Sequence, residues 1–340
     1  MLLPVYIAGI CLPSSIYGEK MSLFKKMIVI AVLLVLTGCD SFLGTSPTKI
    51  PPTSTSTPAP TALPIPKPLV PNFDHIVVFM LENEDFEGVI GNVDMPVYNK
   101  LADENILLTQ YYAVGHTSLV NYIALISGET FGINTNCTDC YIDSPSLPDL
   151  IEASGRTWKT YQEDMPSPCF IGSDITYAQK HNPFIYFDPI RLDTARCEKS
   201  VVPLSMLKND IDAGKLPNFI FITPNICNDA HDCTLGVADQ WLGKQLDVLI
   251  PALDAEGPNY MIISLFEEGY GNESCCGMPE NNAGGHVPAV ILSPMAKSSF
   301  KDDMPYSHYS LLKTISNAWG LPYLGHAADE ETSIMTSPWK

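Results

Sequence analysis

The chain has 340 residues, 46% hydrophobic and 17% charged, so it can bury a sizeable core, and one large domain is the default expectation. Its formal net charge of −19 argues against sequence-independent binding of nucleic acid or anionic lipid, because binding of either needs clustered Lys and Arg and the sequence has no such cluster. An acidic protein also repels anionic substrates, so a phosphate site would have to build its own positive potential from metal ions, a helix N-terminus or a few cations.

The N-terminal segment is typical of a bacterial lipoprotein signal. A short basic start precedes an apolar run from Met27 to Leu36, and the run leads into the sequence LTGC that ends at Cys39. Cleavage before Cys39 leaves this cysteine to carry lipid, and Met21 is then the natural start within a signal region of residues 1–39. The apolar run is about half of the ~20 residues that a membrane span needs. We therefore expect an extracytoplasmic protein, at a bacterial cell surface or in the periplasm, that meets the membrane only through this anchor.

Residues 40–71 predict an extended tether, because their density of Pro, Ser and Thr disfavours helix and sheet. The remaining domain, residues 72–340, carries eight cysteines. An even count outside the cytoplasm predicts disulfides of open connectivity, with a zinc site at Cys137-x-x-Cys140 as the alternative. Cys227 and Cys233 bracket a polar loop, and we hypothesise that they clamp it. The eight are Cys137, Cys140, Cys169, Cys197, Cys227, Cys233, Cys275 and Cys276.

From Phe73 onward, apolar runs alternate with helical patterns, which predicts an α/β domain with a mostly parallel central sheet flanked by helices. Three runs are apolar throughout and rich in β-branched residues, as strands buried on both faces should be. A fourth run is VPAVILSP, residues 287–294. The first three are DHIVVFML (74–81), NFIFITP (218–224) and NYMIISLF (259–266).

Carboxylates follow each of the first three runs, and the fourth is preceded by a histidine. Because the carboxyl ends of parallel strands meet at the edge of the sheet where ligands bind, we expect these side chains to lie together. Crowded acids cost stability unless cations lie among them, and all three arginines fall outside these motifs. We therefore expect one or two divalent metal ions of the Zn, Mn or Fe type, which suit mixed oxygen and nitrogen ligands. The candidate ligands are Glu82, Asp229, His231, Asp232, Glu267, Glu268 and His286.

The stretch YYAVGHTSLVNYIALISG, residues 111–128, opens as a loop and turns into an apolar helix that we expect to end at Gly128. A helix start exposes unpaired N–H groups and the positive end of the helix dipole, so a hydroxyl there lies beside an anion site. Thr117 or Ser118 is also suited to be the N-cap. The stretch by itself leaves a structural cap and a reactive hydroxyl both open.

A closing helix is predicted in YSHYSLLKTISNAWGLPYLG, residues 306–325, where apolar residues have helical spacing and Gly320 follows the last turn. His308 lies near its start. This histidine is a candidate for the site, and a structural role is at least as good an interpretation.

These motifs resemble the bacterial phosphoesterase family that contains acid phosphatases and phosphocholine-type phospholipases C, within the alkaline-phosphatase-like superfamily. The resemblance runs from about residue 74 to residue 325, and six pieces occur in the family's order and spacing. They are HIVVFMLENEDFEGVIG, YYAVGHTSLVNYIALISG, NDAHDCTLGVADQWL, FEEGYG, GGHVPAVILSP and YSHYSLLKTISNAWGLPYLG.

The resemblance implies a metal-dependent hydrolase of phosphate esters with an alkaline-phosphatase-like core. Related nucleotide pyrophosphatases have their hydroxyl nucleophile three positions before an Asn and ten before a Gly, and Ser118, Asn121 and Gly128 satisfy both spacings. By this resemblance, Ser118 attacks phosphorus to give a phosphoseryl intermediate, Asn121 hydrogen-bonds a phosphoryl oxygen, and His116 lies close by.

The resemblance also assigns metal-binding roles. It makes Glu82 a ligand, Asn83 a ligand or phosphate contact, and His286 the family's late histidine. The family commonly has Asp where this chain has Glu267, which keeps the metal count open at one or two. The family's polar loop and acidic pair are matched by Asp229, His231 and Asp232, and by Glu267 and Glu268.

The leading interpretation is a phosphomonoesterase or phosphodiesterase that acts on a small phosphate ester or a phospholipid. A solute-binding lipoprotein would suit the leader, the tether and the acidic domain equally well, but it does not need carboxylates at successive strand ends. A sulfatase usually carries a C/S-x-P-x-R motif, and the segment around Ser118 has neither that proline nor that arginine.

Overall fold

The structure is a computed structural model that describes residues 68–279 and 283–340. The predicted signal region, with Met21 and Cys39, and residues 40–67 of the predicted tether lie outside the described residues. All described residues belong to one compact unit. Within this part of the chain, every helix is either too short or too polar to traverse a lipid bilayer.

A mostly parallel sheet forms the centre of the described chain, as the alternation of apolar runs predicts. Every residue of its first strand is buried, and so is every residue of the strands predicted at 218–224 and 259–266. Continuous β-branched and aromatic runs suit strands that are covered on both faces. The strands are β1 His75–Leu81, β2 Ile106–Leu108, β3 Tyr111–Tyr112, β4 Trp158–Gln162, β5 Val201–Pro203, β6 Phe219–Thr223, β7 Tyr260–Phe266, β8 Ala289–Leu292, β9 Phe300–Asp302 and β10 Tyr306–Ser307.

Eight of these strands form the main sheet, in the order β5-β4-β6-β1-β7-β8-β2-β9, and β3 pairs with β10 separately. Within the main sheet only β8 is antiparallel to its neighbours, β7 and β2. The three strands whose runs end in carboxylates, β6, β1 and β7, are therefore adjacent and parallel. Their carboxyl ends lie side by side at one edge of the sheet.

Two buried helices complete the core on the side of this edge. All ten residues of the predicted helix that begins at Ser118 are buried, and so are all twelve residues of the closing helix, which packs against it. Both end at a glycine in the left-handed conformation, as predicted. A Cβ atom on Gly128 would lie only 2.1 Å from the carbonyl oxygen of Leu324, so glycine is required there. The α-helices are α1 Phe86–Val89, α2 Pro96–Glu104, α3 Ser118–Ser127, α4 Leu147–Ala153, α5 Asp188–Arg191, α6 Thr194–Ser200, α7 Leu207–Asp212, α8 Leu235–Glu256 and α9 His308–Trp319.

The eight cysteines of the domain form four disulfides, which confirms the predicted bonding and gives the connectivity that the sequence left open. Cys137 pairs with Cys140, so the zinc alternative at this motif is wrong. The bracketing cysteines of the polar loop pair with each other. The four bonds are Cys137–Cys140, Cys169–Cys197, Cys227–Cys233 and Cys275–Cys276.

Candidate active site

Three buried carboxylates lie together at the carboxyl ends of the central strands. Glu82 follows β1, Asp229 lies in the loop after β6, and Glu267 follows β7, each with no exposed surface. Backbone bonds hold them in register, because the Glu82 amide donates to the carbonyl oxygen of Asp229 at 2.8 Å and the Glu267 amide donates to that of Leu81 at 2.9 Å. We call Glu82, Asp229, Glu267 and the neighbouring Glu268 the carboxylate cluster.

His181, which the sequence analysis missed, bridges two members of this cluster. Its Nε2 lies 3.2 Å from Glu82 Oε2 and its Nδ1 lies 3.3 Å from Asp229 Oδ2. Burial alone would lower the pKa of this imidazole, but the two carboxylates outweigh it and raise the pKa to about 9. Burial likewise opposes ionisation of Glu82, yet the charge and hydrogen bonding of His181 lower its pKa to about 2. The protonated histidine is therefore a counter-ion for Glu82 and Asp229.

His181 is positioned by its own short helix and by a ring. It ends the 3₁₀ turn Gln179–His181, in the connection between β4 and β5. The Tyr122 ring of α3 stacks on the imidazole with centroids 5.4 Å apart, and the Tyr122 hydroxyl donates to Glu82 Oε1. The sequence feature that could have pointed to His181 is the polar Lys-His-Asn triplet directly before the apolar run that starts at Pro183.

Several buried oxygen atoms in and beside the cluster have no hydrogen-bond donor among the described residues. Both carboxylate oxygens of Glu267 are in this state, and so is the side-chain oxygen of Asn83, which lies just after Glu82. Burial, together with the charges of Glu82 and Glu268, raises the pKa of Glu267 well above its usual range. Buried oxygen atoms that lack hydrogen-bond donors can instead coordinate a cation. One possible ligand atom each from Glu82, His181 and Asp229 lies within 4.8 Å of the others, so these three residues could hold a metal ion.

Ser118 lies beside this cluster as the first residue of α3. Its hydroxyl donates to Glu268 Oε1 at 3.3 Å and accepts from Lys180 Nζ at 3.3 Å. Thr117 is the N-cap residue, but its hydroxyl makes no capping bond and is buried without a partner in the described part of the chain. From the sequence, metal was predicted to supply the positive charge, whereas Lys180 and His181 already bring two cationic side chains to the site.

His116 and Asn121 lie on either side of Ser118 in the sequence. His116 contacts Glu268 Oε2 through its Nδ1. Its Nε2 lies 2.9 Å from the carbonyl oxygen of Gly271. Burial raises the pKa of Glu268, and this histidine opposes the rise. Asn121 is fully buried and holds the preceding loop through three hydrogen bonds. Its Oδ1 accepts from the Val114 and Gly115 amides, and its Nδ2 donates to the Gly115 carbonyl oxygen at 2.7 Å.

The loop after β6 contributes a second histidine on the open side of the site. His231 Nδ1 lies 2.6 Å from Asp232 Oδ1, and its Nε2 lies 3.1 Å from Lys180 Nζ. Asp232 is half exposed and pairs with this histidine, whereas Asp229 is buried in the cluster. The disulfide between Cys227 and Cys233 closes the loop that holds all three.

Two further histidines that the sequence made candidates for the site, His286 and His308, hydrogen-bond to backbone carbonyl oxygens rather than to the carboxylate side chains of the cluster. His286 lies outside the contacts of the cluster: its Nε2 is 2.9 Å from the Thr109 carbonyl oxygen and its ring stacks on Phe86 at 4.5 Å. His308 is buried behind the cluster, where its Nε2 bonds the Glu267 carbonyl oxygen at 2.7 Å and burial lowers its pKa to about 4. His308 therefore supports the backbone that presents Glu267.

Comparison with known proteins gives a family for this arrangement. Residues 92–322 match the model of the Phosphoesterase family. The chain is 33% identical over 301 residues to the phosphate-repressible acid phosphatase of Penicillium chrysogenum, covering 83% of this chain and 69% of the relative. It is 28% identical over 267 residues to the phosphatidylinositol-3-phosphatase of Mycobacterium tuberculosis, covering 76% and 81%. The chain spans between 56% and 60% of the length of three further fungal acid phosphatases.

A solved structure supports the fold. A Vibrio parahaemolyticus protein in the alkaline phosphatase superfamily superposes with a TM-score of 0.54 at 14% identity, covering 83% of this chain and 75% of that one. This likeness, together with the mostly parallel sheet, confirms the predicted alkaline-phosphatase-like core.

Proposed function

The chain belongs to the Phosphoesterase family and is a phosphoric ester hydrolase, and we propose that it acts through Ser118 at a metal-binding carboxylate cluster. In this proposal the Ser118 Oγ attacks phosphorus, the ester oxygen leaves with the alcohol, and water then hydrolyses the phosphoseryl intermediate to release phosphate. The acid phosphatase relatives favour a monoester substrate, and the diester or phospholipid alternative remains part of the test.

The contacts of the Ser118 hydroxyl are the observation that carries this proposal. Glu268 Oε1 is in position to take the serine proton, and His116 holds this carboxylate in place. The Lys180 ammonium lies on the same hydroxyl and would stabilise both a developing alkoxide and a phosphoryl oxygen. The start of α3, a ten-residue helix, adds the favourable end of its dipole.

The residues fit a divalent metal ion because the buried oxygens of Glu82, Asp229 and Glu267 face one another with too few donors. Glu82, His181 and Asp229 would hold the ion, with Glu267 and Asn83 as further oxygen ligands. Such an ion would supply Lewis-acid stabilisation of phosphoryl charge. His181 would have to release its proton to bind, since only the neutral imidazole is a ligand.

The test is turnover of para-nitrophenyl phosphate and bis(para-nitrophenyl) phosphate by the wild type, Ser118→Ala and Thr117→Val. We expect Ser118→Ala to lose activity by a factor of about 10³ or more and Thr117→Val to keep far more of it. An acid-quenched reaction should leave one phosphoryl group on the peptide that contains Ser118. Wild-type turnover by Ser118→Ala would overturn the nucleophile assignment. The ratio of the two rates separates a monoesterase from a diesterase.

Metal dependence is tested on the same protein by dialysis against a chelator, elemental analysis and re-addition of Zn²⁺, Mn²⁺ or Fe²⁺. Activity that survives with no metal above background would refute the metal dependence and leave Lys180, His181 and the start of α3 to stabilise the phosphoryl charge.

We propose further that lipid on Cys39 carries this domain outside a bacterial cytoplasm, on the cell surface or in the periplasm. The basic start, apolar run and LTGC sequence support this part of the proposal. Labelling with a radioactive fatty acid, lost in Cys39→Ala, would test it.

A further inference from the structure

A cavity of about 480 Å³ lies next to the proposed nucleophile, between the starts of α3 and α9 and the loop that follows β7. Gly115, His116 and Val120 form one wall, and Met278 lies opposite. This volume is in the range of small-molecule sites and is far larger than a phosphoryl group requires. The cavity therefore has room for an organic group attached to phosphate.

The cavity is joined to Ser118 through shared residues. His116 lines the cavity and contacts Glu268, and Glu268 accepts the hydrogen bond of the Ser118 hydroxyl at 3.3 Å. Val120 lines it two positions after Ser118 on α3. The cavity wall and the serine oxygen thus contact the same carboxylate, so a phosphoryl group at Ser118 would lie next to the cavity.

Tyr309 provides an unsatisfied polar group in the wall. Only 5% of this residue is exposed, and its hydroxyl has no hydrogen-bond partner anywhere in residues 68–279 and 283–340. Burial, and then the charges of Glu129 and Asp329, raise the pKa of this phenol. The residue is buried and lines the cavity, so its hydroxyl is available to bond a ligand that displaces water from the cavity.

The charge around Tyr309 is negative. Asp329 and Glu331 line the cavity and Glu129 lies beside them, whereas no Lys or Arg is among the described residues of the wall. His326 also lines the cavity, with its ring 5.1 Å from that of Tyr309, and its Nδ1 lies 2.7 Å from Asp329 Oδ2. The Lys313 ammonium donates to the carbonyl oxygen of Asp329 at 2.7 Å. These two groups offset part of the negative charge, and Glu331 remains without such a partner among the described residues. A carboxylate or a second phosphate on the alcohol would be repelled here, and an amine would be attracted to both the acids and the tyrosine ring.

We propose that this cavity receives the alcohol part of the substrate and selects phosphate esters whose alcohol is positively charged over those whose alcohol is negatively charged. The inference rests on the proposed function of Ser118. Asp329, Glu331 and Tyr309 are its specificity-determining residues.

Three esters test this selection with matched leaving groups: 4-(aminomethyl)benzyl phosphate, 4-ethylbenzyl phosphate and 4-(carboxymethyl)benzyl phosphate. They differ in the charge at the far end of the ring, and the acidities of their benzyl alcohols are nearly equal. We expect kcat/KM to fall in this order, by about tenfold from the amine to the acid, mainly through KM. The doubly substituted Asp329→Asn, Glu331→Gln protein should reduce the ratio to about threefold or less.

Glu198→Gln is the matched control, because Glu198 is an exposed acid on α6 that is not among the residues lining the cavity, and it should leave the wild-type ratio unchanged. Equal kcat/KM for the three esters in the wild type would overturn the inference while leaving the proposed function intact. If none of the three esters is hydrolysed, turnover of para-nitrophenyl phosphate decides the proposed function, and the affinities of the three esters for Ser118→Ala, measured by calorimetry, decide the inference. Tighter binding of the amine ester supports it, and equal affinities refute it.

Discussion

Replacement of His181 by Asn should strongly destabilise the metal-free protein. The imidazolium lies between Glu82 and Asp229, at 3.2 and 3.3 Å, and both carboxylates are fully buried. Asn keeps hydrogen-bonding capacity but carries no charge. The substitution therefore leaves two buried acids with no counter-ion at this position.

Two independent arguments give the size of the effect. A rise in the pKa of His181 from 6.5 to about 9 corresponds to about 3 kcal/mol in favour of the folded, protonated state. Removal of one partner of a buried ion pair costs about 3–5 kcal/mol, because the remaining charge is uncompensated. For a domain of this size, these values correspond to a fall in Tm of roughly 10 °C.

The pH dependence has a definite sign. Because the folded pKa of His181 is raised, its stabilisation is complete below pH 6.5 and is lost as the pH rises through about 9. Glu82, with a pKa of about 2, stays ionised across this range. The difference between wild type and His181→Asn should therefore be large at pH 6 and small at pH 10.

Thermal and urea unfolding in a chelator, followed by circular dichroism, measures this difference. His326→Asn is the control, since the His326 side chain is 51% exposed and its loss should change stability by no more than about 0.5 kcal/mol. Equal Tm values for wild type and His181→Asn at pH 6 would refute the counter-ion role.

Two further predictions concern the neighbours of the cluster. Lys180→Met should lower kcat/KM for para-nitrophenyl phosphate by about 10²-fold, because it removes the ammonium at the Ser118 hydroxyl. The control is Lys208→Met, which breaks an exposed ion pair with Asp212 and should leave kcat/KM unchanged. An unchanged kcat/KM in Lys180→Met would contradict the electrostatic role of this lysine. Replacement of Cys227 and Cys233 by Ser should lower the free energy of unfolding by about 2 kcal/mol and lower activity most at limiting metal, whereas intact activity at every metal concentration would remove the clamp hypothesis.

The strands that carry the site were predictable because a strand buried on both faces is apolar at nearly every position. β1, β6 and β7 are continuous apolar runs, and the residue that ends such a run must lie at the sheet edge. That rule was sufficient to bring Glu82 and Glu267 together, and it placed the loop after β6, which carries Asp229, at the same edge. The ends of α3 and α9 were predictable for a different reason, since a left-handed terminal residue favours glycine.

His181 and Lys180 were not predictable in the same way. They lie in the irregular connection between β4 and β5, where no period relates sequence position to a face of the fold. The direction of β8 was equally hidden, because an apolar run reads the same for a parallel and an antiparallel strand. Disulfide pairing depends on tertiary proximity, and eight cysteines allow about 105 connectivities.

The remaining charge imbalance argues for a bound cation beyond the side chains of the chain itself. Lys180 and His181 oppose the four acids of the carboxylate cluster, and the oxygens of Glu267 still have no donor among the described residues. Without a bound metal, protons make up part of the difference: burial and the charges of Glu82 and Glu268 raise the pKa of Glu267. Burial lowers the pKa of His181, but Glu82 and Asp229 outweigh it and keep this histidine protonated. Uptake of a divalent ion would release these protons, so metal affinity should increase with pH across the neutral range.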